Sequence, residues 1–262
     1  MEDFVLICAY VLSAIVGLCV GSFLNVVIYR LPNNMSLAKP NSHCPSCKYE
    51  LCWYDNIPVI SYIMLRGKCR SCKTHISFRY TIVELLNVAL WVLSVHMFWE
   101  RSIPLACIYA LVFSIFICIF FIDLEHLIIF DKFQIMLLIL SILSIFFDKD
   151  FRWYSHLIGG AAGFLVFYLI AVLFEKIRNS DGLGGGDVKL AGVAGLLLGW
   201  ERLLFAMLIA TIPAALIMSV MKKGKTGEDR LFPFAPFLII GFAAALLFGT
   251  AIIDWYLSLF GL

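Results

Sequence analysis

The chain has 262 residues, of which 62% are hydrophobic and only 15% charged, and its 20 Lys and Arg against 18 Asp and Glu give a net charge of +2. Its mean hydropathy of +0.96 is too high for one soluble domain of this length, which excludes a soluble enzyme and predicts an all-α polytopic integral membrane protein embedded in the lipid bilayer. Topology accounts for the basic residues, so nothing in the charge supports nucleic-acid binding.

A helix that crosses hydrocarbon needs about 20 apolar residues. The charge-poor runs supply about eight transmembrane helices, near 4–29, 81–99, 104–122, 132–147, 156–174, 187–200, 201–220 and 234–258. The first reads as a span rather than a cleaved signal peptide. It opens Met1-Glu2-Asp3 with no basic stretch, and it exceeds the roughly 7–15 apolar residues of a signal core. The sixth is short and Gly-rich, which predicts a tilted, broken or partly re-entrant segment.

Between the first two spans lies a polar segment with Pro32, Pro40, Pro45 and Pro58, which predicts a small extramembrane domain. It carries Cys44-Pro45-Ser46-Cys47 and Cys69-Arg70-Ser71-Cys72. Two such pairs resemble a zinc ribbon, in which Cys44, Cys47, Cys69 and Cys72 offer four thiolates to one tetrahedral zinc. A closed four-sulfur site would hold together a domain too small to stabilise itself by burial. The alternatives are disulfides, which a reducing cytosol disfavours, and unmetallated thiols. Cys8, Cys19, Cys107 and Cys118 lie in apolar spans and read as small hydrophobes, while Cys52 has no assigned role.

Of the Lys and Arg residues, Arg101, Lys149, Arg152 and Arg202 fall on one side of the predicted spans and all the others that flank spans fall on the opposite side. The positive-inside rule then puts the N-terminus outside. An even number of spans puts the C-terminus outside too, and both Asp123 and Asp187 reach the cytoplasmic border.

A carboxylate beside hydrocarbon is costly and marks a functional site. Asp123 follows the apolar run Cys118–Ile122 directly, whereas Glu125 and Asp131 can turn toward water. His126 lies three residues on, the same helical face, and is read either as a hydrogen-bond partner of Asp123 or substrate, or as a solvated loop histidine. Asp187 closes Gly184-Gly185-Gly186-Asp187. With Gly182, Gly184, Gly185 and Gly186 bearing no side chains, an extended substrate backbone can approach the carboxylate. The run lacks the Gly-Lys-Ser/Thr ending of a phosphate-binding loop. Asp187 also suits a helix N-terminus simply through the macrodipole, and Lys189 is either a membrane-border anchor or a partner that keeps one acid ionised. Placed opposite each other, two carboxyls can share a proton and activate water for peptide hydrolysis.

These blocks, in order, resemble the bacterial prepilin peptidases, bifunctional type IV leader peptidases and N-methyltransferases of the G-x-G-D aspartic membrane protease type. The resemblance is carried by Gly21–Pro32, both C-x-x-C pairs, Trp53–Pro58, Ile76–Tyr80 leading to Glu84, the motif beginning at Asp123, Leu183–Leu190, and Phe232–Phe237. It implies that Asp123 and Asp187, 64 residues apart, are the catalytic pair, supported by Gly184, Gly186, Lys189 and His126. The family usually has proline where Phe130 stands and often glutamate where Asp181 stands; neither change touches the pair.

The resemblance further implies a multi-pass protein of the bacterial inner membrane with its active site on the cytoplasmic side. Its protein partners would be type IV prepilins or pseudopilins, whose basic leader ends in glycine before an apolar helix. Methylation of the new N-terminus would use S-adenosylmethionine as co-substrate. The implied organisation is a first transmembrane helix over 1–30, a cytoplasmic four-cysteine zinc-ribbon-like domain over 31–80 tied to methylation, and a transmembrane peptidase domain over 81–262. No residue for the methyl donor follows from the motifs. Glu84 and Asn25 are polar candidates, with helix-to-helix hydrogen bonding as the competing reading.

The rival class is an ion- or proton-coupled transporter, since intramembrane acids also carry ions. Against it, the sequence has no internal repeat, and both acids lie near one border rather than the midplane. A metal or redox protein using His126, Asp123, Asp131 and the cysteines ranks third, because the cysteines look like one closed site.

Overall fold

The computed structural model describes residues 2–148, 152–178, 184–221 and 232–259. Asp181, Gly182, Leu183, Lys149, Lys222, Lys223, Lys225 and Arg230, which figure in the sequence pattern, lie outside the described residues. In chain order the structure contains α1 (Glu2–Arg30), a 3-10 turn at Trp53–Asn56, α2 (Ile60–Met64), α3 (Arg79–Phe98), α4 (Ile103–His126), α5 (Asp131–Phe147), α6 (Trp153–Arg178), α7 (Gly185–Leu198), α8 (Trp200–Met221) and α9 (Ala235–Ser258). Each of the eight expected spans is a helix.

Six of them, α1, α3, α4, α6, α8 and α9, are long and apolar enough to cross a membrane. The 17 residues of α5 lie at the lower limit for a span, and the 14 of α7 rise only about 21 Å against a hydrocarbon core of about 30 Å. The chain folds as two compact units, Met1–Cys118 and Ile119–Leu262, with the division inside α4. α4 is apolar on every side and buried nearly throughout, from Leu105 and Val112 to Ile119 and Ile122, as expected of a helix with no polar face.

In the first unit α1 packs along α3. Lipid offers no hydrophobic force to drive two apolar helices together, so the contact rests on close approach and interhelical hydrogen bonds. Gly17 and Gly21, one turn apart, supply the approach: a Cβ at Gly21 would lie 2.9 Å from the Glu84 Cα. Asn87 Nδ2 donates to the Gly17 carbonyl at 2.7 Å. Ser114 Oγ donates to Asn87 Oδ1 and receives the Trp91 indole N–H, both at 2.8 Å. One buried polar chain thus ties α1, α3 and the first part of α4.

The polar segment after α1 is organised by Arg30, which is buried. Its guanidinium donates to the carbonyls of Ser36 at 3.0 Å and Pro40 at 2.7 Å. Two similar knuckles follow. In the first, Cys44 N–H donates to Tyr49 O and Lys48 N–H to Cys44 O; in the second, Cys69 N–H donates to Thr74 O and Lys73 N–H to Cys69 O. Lys48 and Lys73 adopt the same left-handed backbone, φ 58° and 60°. Single antiparallel bridges, His43 with Glu50 and Lys68 with His75, close the knuckles.

In the second unit α7 is the central helix, contacting α5, α6, α8 and α9. It lies against α6 backbone to backbone: a Cβ added at Gly195 would strike the Gly159 carbonyl, and one at Gly163 the Ala191 carbonyl. Gly199, at φ 80° and ψ 163°, turns the chain from α7 into α8 within one residue, a conformation that L side chains rarely adopt. The variant Gly195→Ala is expected to lower the thermal unfolding midpoint in detergent, with a destabilisation of about 1–3 kcal/mol, the usual scale of overpacking.

Candidate active site and thiolate cluster

The α4 helix ends at Leu127, whose φ of 56° breaks the helical path. This places Asp123 in the last full turn with only 6% of its surface exposed, while Glu125 and His126 are exposed. The backbone N–H of Ala235 donates to the Asp123 carboxyl. Ala235 is the first residue of α9, and its preceding residue Phe234 offers no side-chain cap. Asp123 therefore takes the place of a capping residue supplied from another helix, facing the positive end of α9.

Asp187 stands at the third position of α7, after Gly184 as N-cap. Its backbone N–H donates to the Gly184 carbonyl at 3.0 Å, and its carboxyl receives the Gly184 N–H in return. This is one half of a capping box, the third helical residue reaching back to the N-cap N–H; the other half is absent because glycine has no side chain to offer. The two carboxyls are near enough to interact electrostatically. Asp123 Oδ2 and Asp187 Oδ1 are both buried without a hydrogen-bond partner among the described residues. Two acids at two helix N-termini, each with one oxygen unspent, form a site that can hold a water or a polarised carbonyl.

The glycines before Asp187 differ in what surrounds them. Gly185 has no atom within 4 Å of an added Cβ, whereas Gly186 would place one 3.0 Å from the Ile129 Cβ and Gly184 one 3.3 Å from Asp187 Oδ2. The Gly186 carbonyl accepts a hydrogen bond from Gln134 Nε2 at 3.1 Å, and Gln134 is buried. Sequence reasoning passes over Gln134 and Ala235. The first sits in an apolar run where its lone amide is a signal; the second sits in the Phe-Pro-Phe-Ala-Pro-Phe block, whose prolines mark a helix start.

Lys189 pairs with Asp131 at 2.8 Å, both side chains more than half exposed. It is thus held at the start of α5, and such an exposed pair contributes roughly 0–1 kcal/mol to stability. An open groove of about 600 Å³ leads up to this pair, flanked by Leu138, Leu157, Phe164 and Leu196 and including Gln134.

In the first unit the sulfurs of Cys44, Cys47, Cys69 and Cys72 all lie within 4.8 Å of one another. Cys44 and Cys72 are 3.8 Å apart and Cys47 and Cys69 3.9 Å. These separations are too long for S–S bonds, but they match the edge of about 3.8 Å of a tetrahedron with metal–sulfur bonds of about 2.3 Å. The thiols hold protons unequally. Hydrogen bonds from the Thr74 hydroxyl and backbone draw Cys72 down to about 6. Cys47 rises to about 11: the backbone N–H of Tyr49 favours its thiolate, but burial and the neighbouring thiols outweigh it. Cys52 lies apart, against the Tyr49 hydroxyl at 3.5 Å.

Glu84 and Asn25 face the same region. Glu84 Oε2 accepts the Val59 N–H at 2.8 Å, holding Val59 at φ 61° and ψ −50°, a conformation that β-branched residues avoid. Asn25 Nδ2 donates to the Tyr80 carbonyl at 3.0 Å. Each makes a structural hydrogen bond, and Asn25 Oδ1 is buried without one among the described residues.

Two family descriptions match the chain. The bacterial peptidase A24 N-terminal domain covers residues 15–98, and the type IV leader peptidase family covers residues 110–219. Among curated relatives, a prepilin leader peptidase/N-methyltransferase of Burkholderia pseudomallei strain 1026b is 34% identical over 95% of this chain and 87% of its own length. Proteins of the same name from Pseudomonas aeruginosa and Legionella pneumophila are 32% identical over 97% and 95%, and 31% identical over 95% and 94%, respectively. No solved structure matches the chain.

The spacing around the glycines yields a direct expectation. Gly186→Ala must displace Ile129 and is expected to speed amide hydrogen exchange over residues 184–188 by about tenfold, on the scale of a 1–2 kcal/mol strain, whereas Gly185→Ala leaves it unchanged or slower.

Proposed function

The chain belongs to the type IV leader peptidase family, and from that membership we propose that Asp123 and Asp187 are its catalytic pair and cut the leader from type IV prepilins or pseudopilins. The observation that carries this reading is the meeting of two carboxyls at the N-termini of α9 and α7, each keeping one buried oxygen unpartnered among the described residues. Like charges so close disfavour double ionisation, so one proton is shared by the pair.

In the reaction one ionised carboxylate takes a proton from water as the oxygen adds to the scissile carbonyl carbon. The other acid, protonated, hydrogen-bonds the carbonyl oxygen and gives it the proton. Collapse of the tetrahedral intermediate breaks the C–N bond: the amine leaves with the proton collected by the first acid, and the second acid takes back a proton from a gem-diol hydroxyl, which restores the starting protonation of the pair. The apolar helix that follows the leader lies in the bilayer, and the groove beside α5, α6 and α7, which reaches Gln134 and the Asp131–Lys189 pair, offers it an apolar surface. Both acids work at the cytoplasmic border of the bacterial inner membrane, where the basic leader is retained. This orientation, with both termini outside, rests on the distribution of Lys and Arg in the sequence.

The second activity is N-methylation of the newly exposed terminal amine. The amine lone pair attacks the methyl carbon of S-adenosylmethionine, the C–S bond breaks with its electrons going to sulfur, and the ammonium proton passes to solvent. Residues 31–80 are the domain assigned to this step and 81–262 the peptidase. Cys44, Cys47, Cys69 and Cys72 are assigned to zinc in a closed four-sulfur site, where the ion supplies cross-linking between the two knuckles rather than an open catalytic position.

Asp123→Asn and Asp187→Asn are each expected to abolish cleavage of a co-expressed prepilin while the protein still accumulates in the membrane; substantial leader loss by either variant would defeat the assignment. The purified chain should contain about one zinc per molecule. Cys44→Ser should lower that content by at least about half, and with it methyl transfer from labelled donor to cleaved pilin.

A further inference from the structure

The first unit contains a partly open cavity of about 410 Å³ between the end of α1, the start of α3 and the cysteine knuckles. That volume falls in the range of about 300–1,000 Å³ typical of small-molecule sites. Its wall includes Asn25, Asp55, Thr81 and Glu84, each at least nine-tenths buried. Asn25 Oδ1, Asp55 Oδ2 and Thr81 Oγ1 are buried there without hydrogen-bond partners among the described residues. A buried polar atom left unpaired costs about 1–3 kcal/mol, and three along one cavity indicate a ligand that satisfies them.

The unmet atoms define that ligand's chemistry. Two are pure acceptors and the third is a hydroxyl that accepts as readily as it donates, so the wall asks for N–H and O–H donors. Glu84 adds a carboxylate. The Arg30 guanidinium, also in the wall, is already committed to backbone carbonyls. Arg70, anchored on Asp55 Oδ1 at 2.8 Å, also lines the cavity and gives it a cation. A ligand with an amino-rich ring, a positive centre and one carboxylate meets all of these demands.

We propose that this cavity is the methyl-donor site, binding S-adenosylmethionine with its sulfonium toward Glu84, its amine donors on Asn25 and Thr81, and its amino-acid carboxylate toward Arg70. The assignment rests on the methyltransferase half of the function proposed above. It also gives the thiolate cluster a task at a distance: Cys44 and Cys69 form part of the same wall, so a metal that fixes the knuckles fixes the cavity.

The test measures binding of S-adenosylmethionine and of its neutral product, S-adenosylhomocysteine, to the purified full-length chain in detergent, by titration calorimetry. The wild type is expected to bind the cationic donor more tightly than the thioether. Glu84→Gln preserves an acceptor for the Val59 N–H but removes the charge. It should weaken donor binding by at least about tenfold while changing product binding by less than about threefold, so that the preference disappears. Thr81→Val removes only an unpartnered hydroxyl and is expected to keep the melting midpoint while weakening both ligands by about threefold or more. If the wild type methylates cleaved pilin and both variants bind the donor as the wild type does, the cavity is not the site and the methyltransferase reading stands. A wild type that neither binds the donor nor methylates cleaved pilin overturns both.

Discussion

A carboxylate withdrawn from water has to find positive potential nearby, and in the second unit of this chain that potential comes from the first backbone N–H groups of two helices. Asp123 receives Ala235 at the start of α9, and Asp187 receives Gly184 at the start of α7. Among the described residues no Lys or Arg forms an ion pair with either acid; Lys189 is held instead by Asp131. The distinction matters for chemistry. A fixed cation would lock a carboxylate in its ionised form, whereas a helix end, equivalent to roughly half a charge, permits either protonation state. The rest of the second unit positions those two helix starts: Gln134 holds the Gly186 carbonyl, Ile129 fills the space that Gly186 leaves, and Gly199 turns α7 tightly into α8.

The first unit solves a different problem. Its segment between α1 and α3 lacks a hydrophobic core of its own, and three devices substitute for one. Arg30, buried at the end of α1, gathers the carbonyls of the loop. Two knuckles of matching geometry bring four sulfurs together. Asp55 and Arg70 pair beside them, with the Asp55 carboxyl almost wholly enclosed. Burying the Asp55 carboxylate costs desolvation that its half-exposed partner Arg70 only partly offsets, so its presence beside a cavity suits a binding surface better than a stabilising core.

Much of this is legible in the amino-acid sequence because the bilayer imposes a simple rule. Eight apolar runs correspond to eight helices, and the C-x-x-C spacing foretells the four-sulfur cluster. Asp123 is separable from Glu125 by its position directly after the apolar run, and burial draws the same line. What stays hidden in the sequence are contacts that follow no local period. Lys189 reads there as an anchor or a partner of the acids, but its partner is Asp131, 58 residues earlier. Gln134 carries no motif of its own, and Ala235 sits in the Phe232–Phe237 block with nothing to single it out; their importance comes from groups they meet across the fold. The shortness of α7 is visible in advance, but not that it is the central helix of its unit.

That shortness has a mechanical consequence. Long spans respond to a thicker or thinner bilayer by tilting, which would drag any group mounted at their ends. At about 21 Å, α7 is too short to be stretched between both lipid faces, and its contact with α6 at Gly159 and Gly195 is backbone on backbone, stiffer than any interlock of flexible side chains. The helix that carries Asp187 therefore takes its position from protein neighbours and not from lipid, so a change in the thickness of the surrounding membrane is not transmitted to that carboxylate through its own helix.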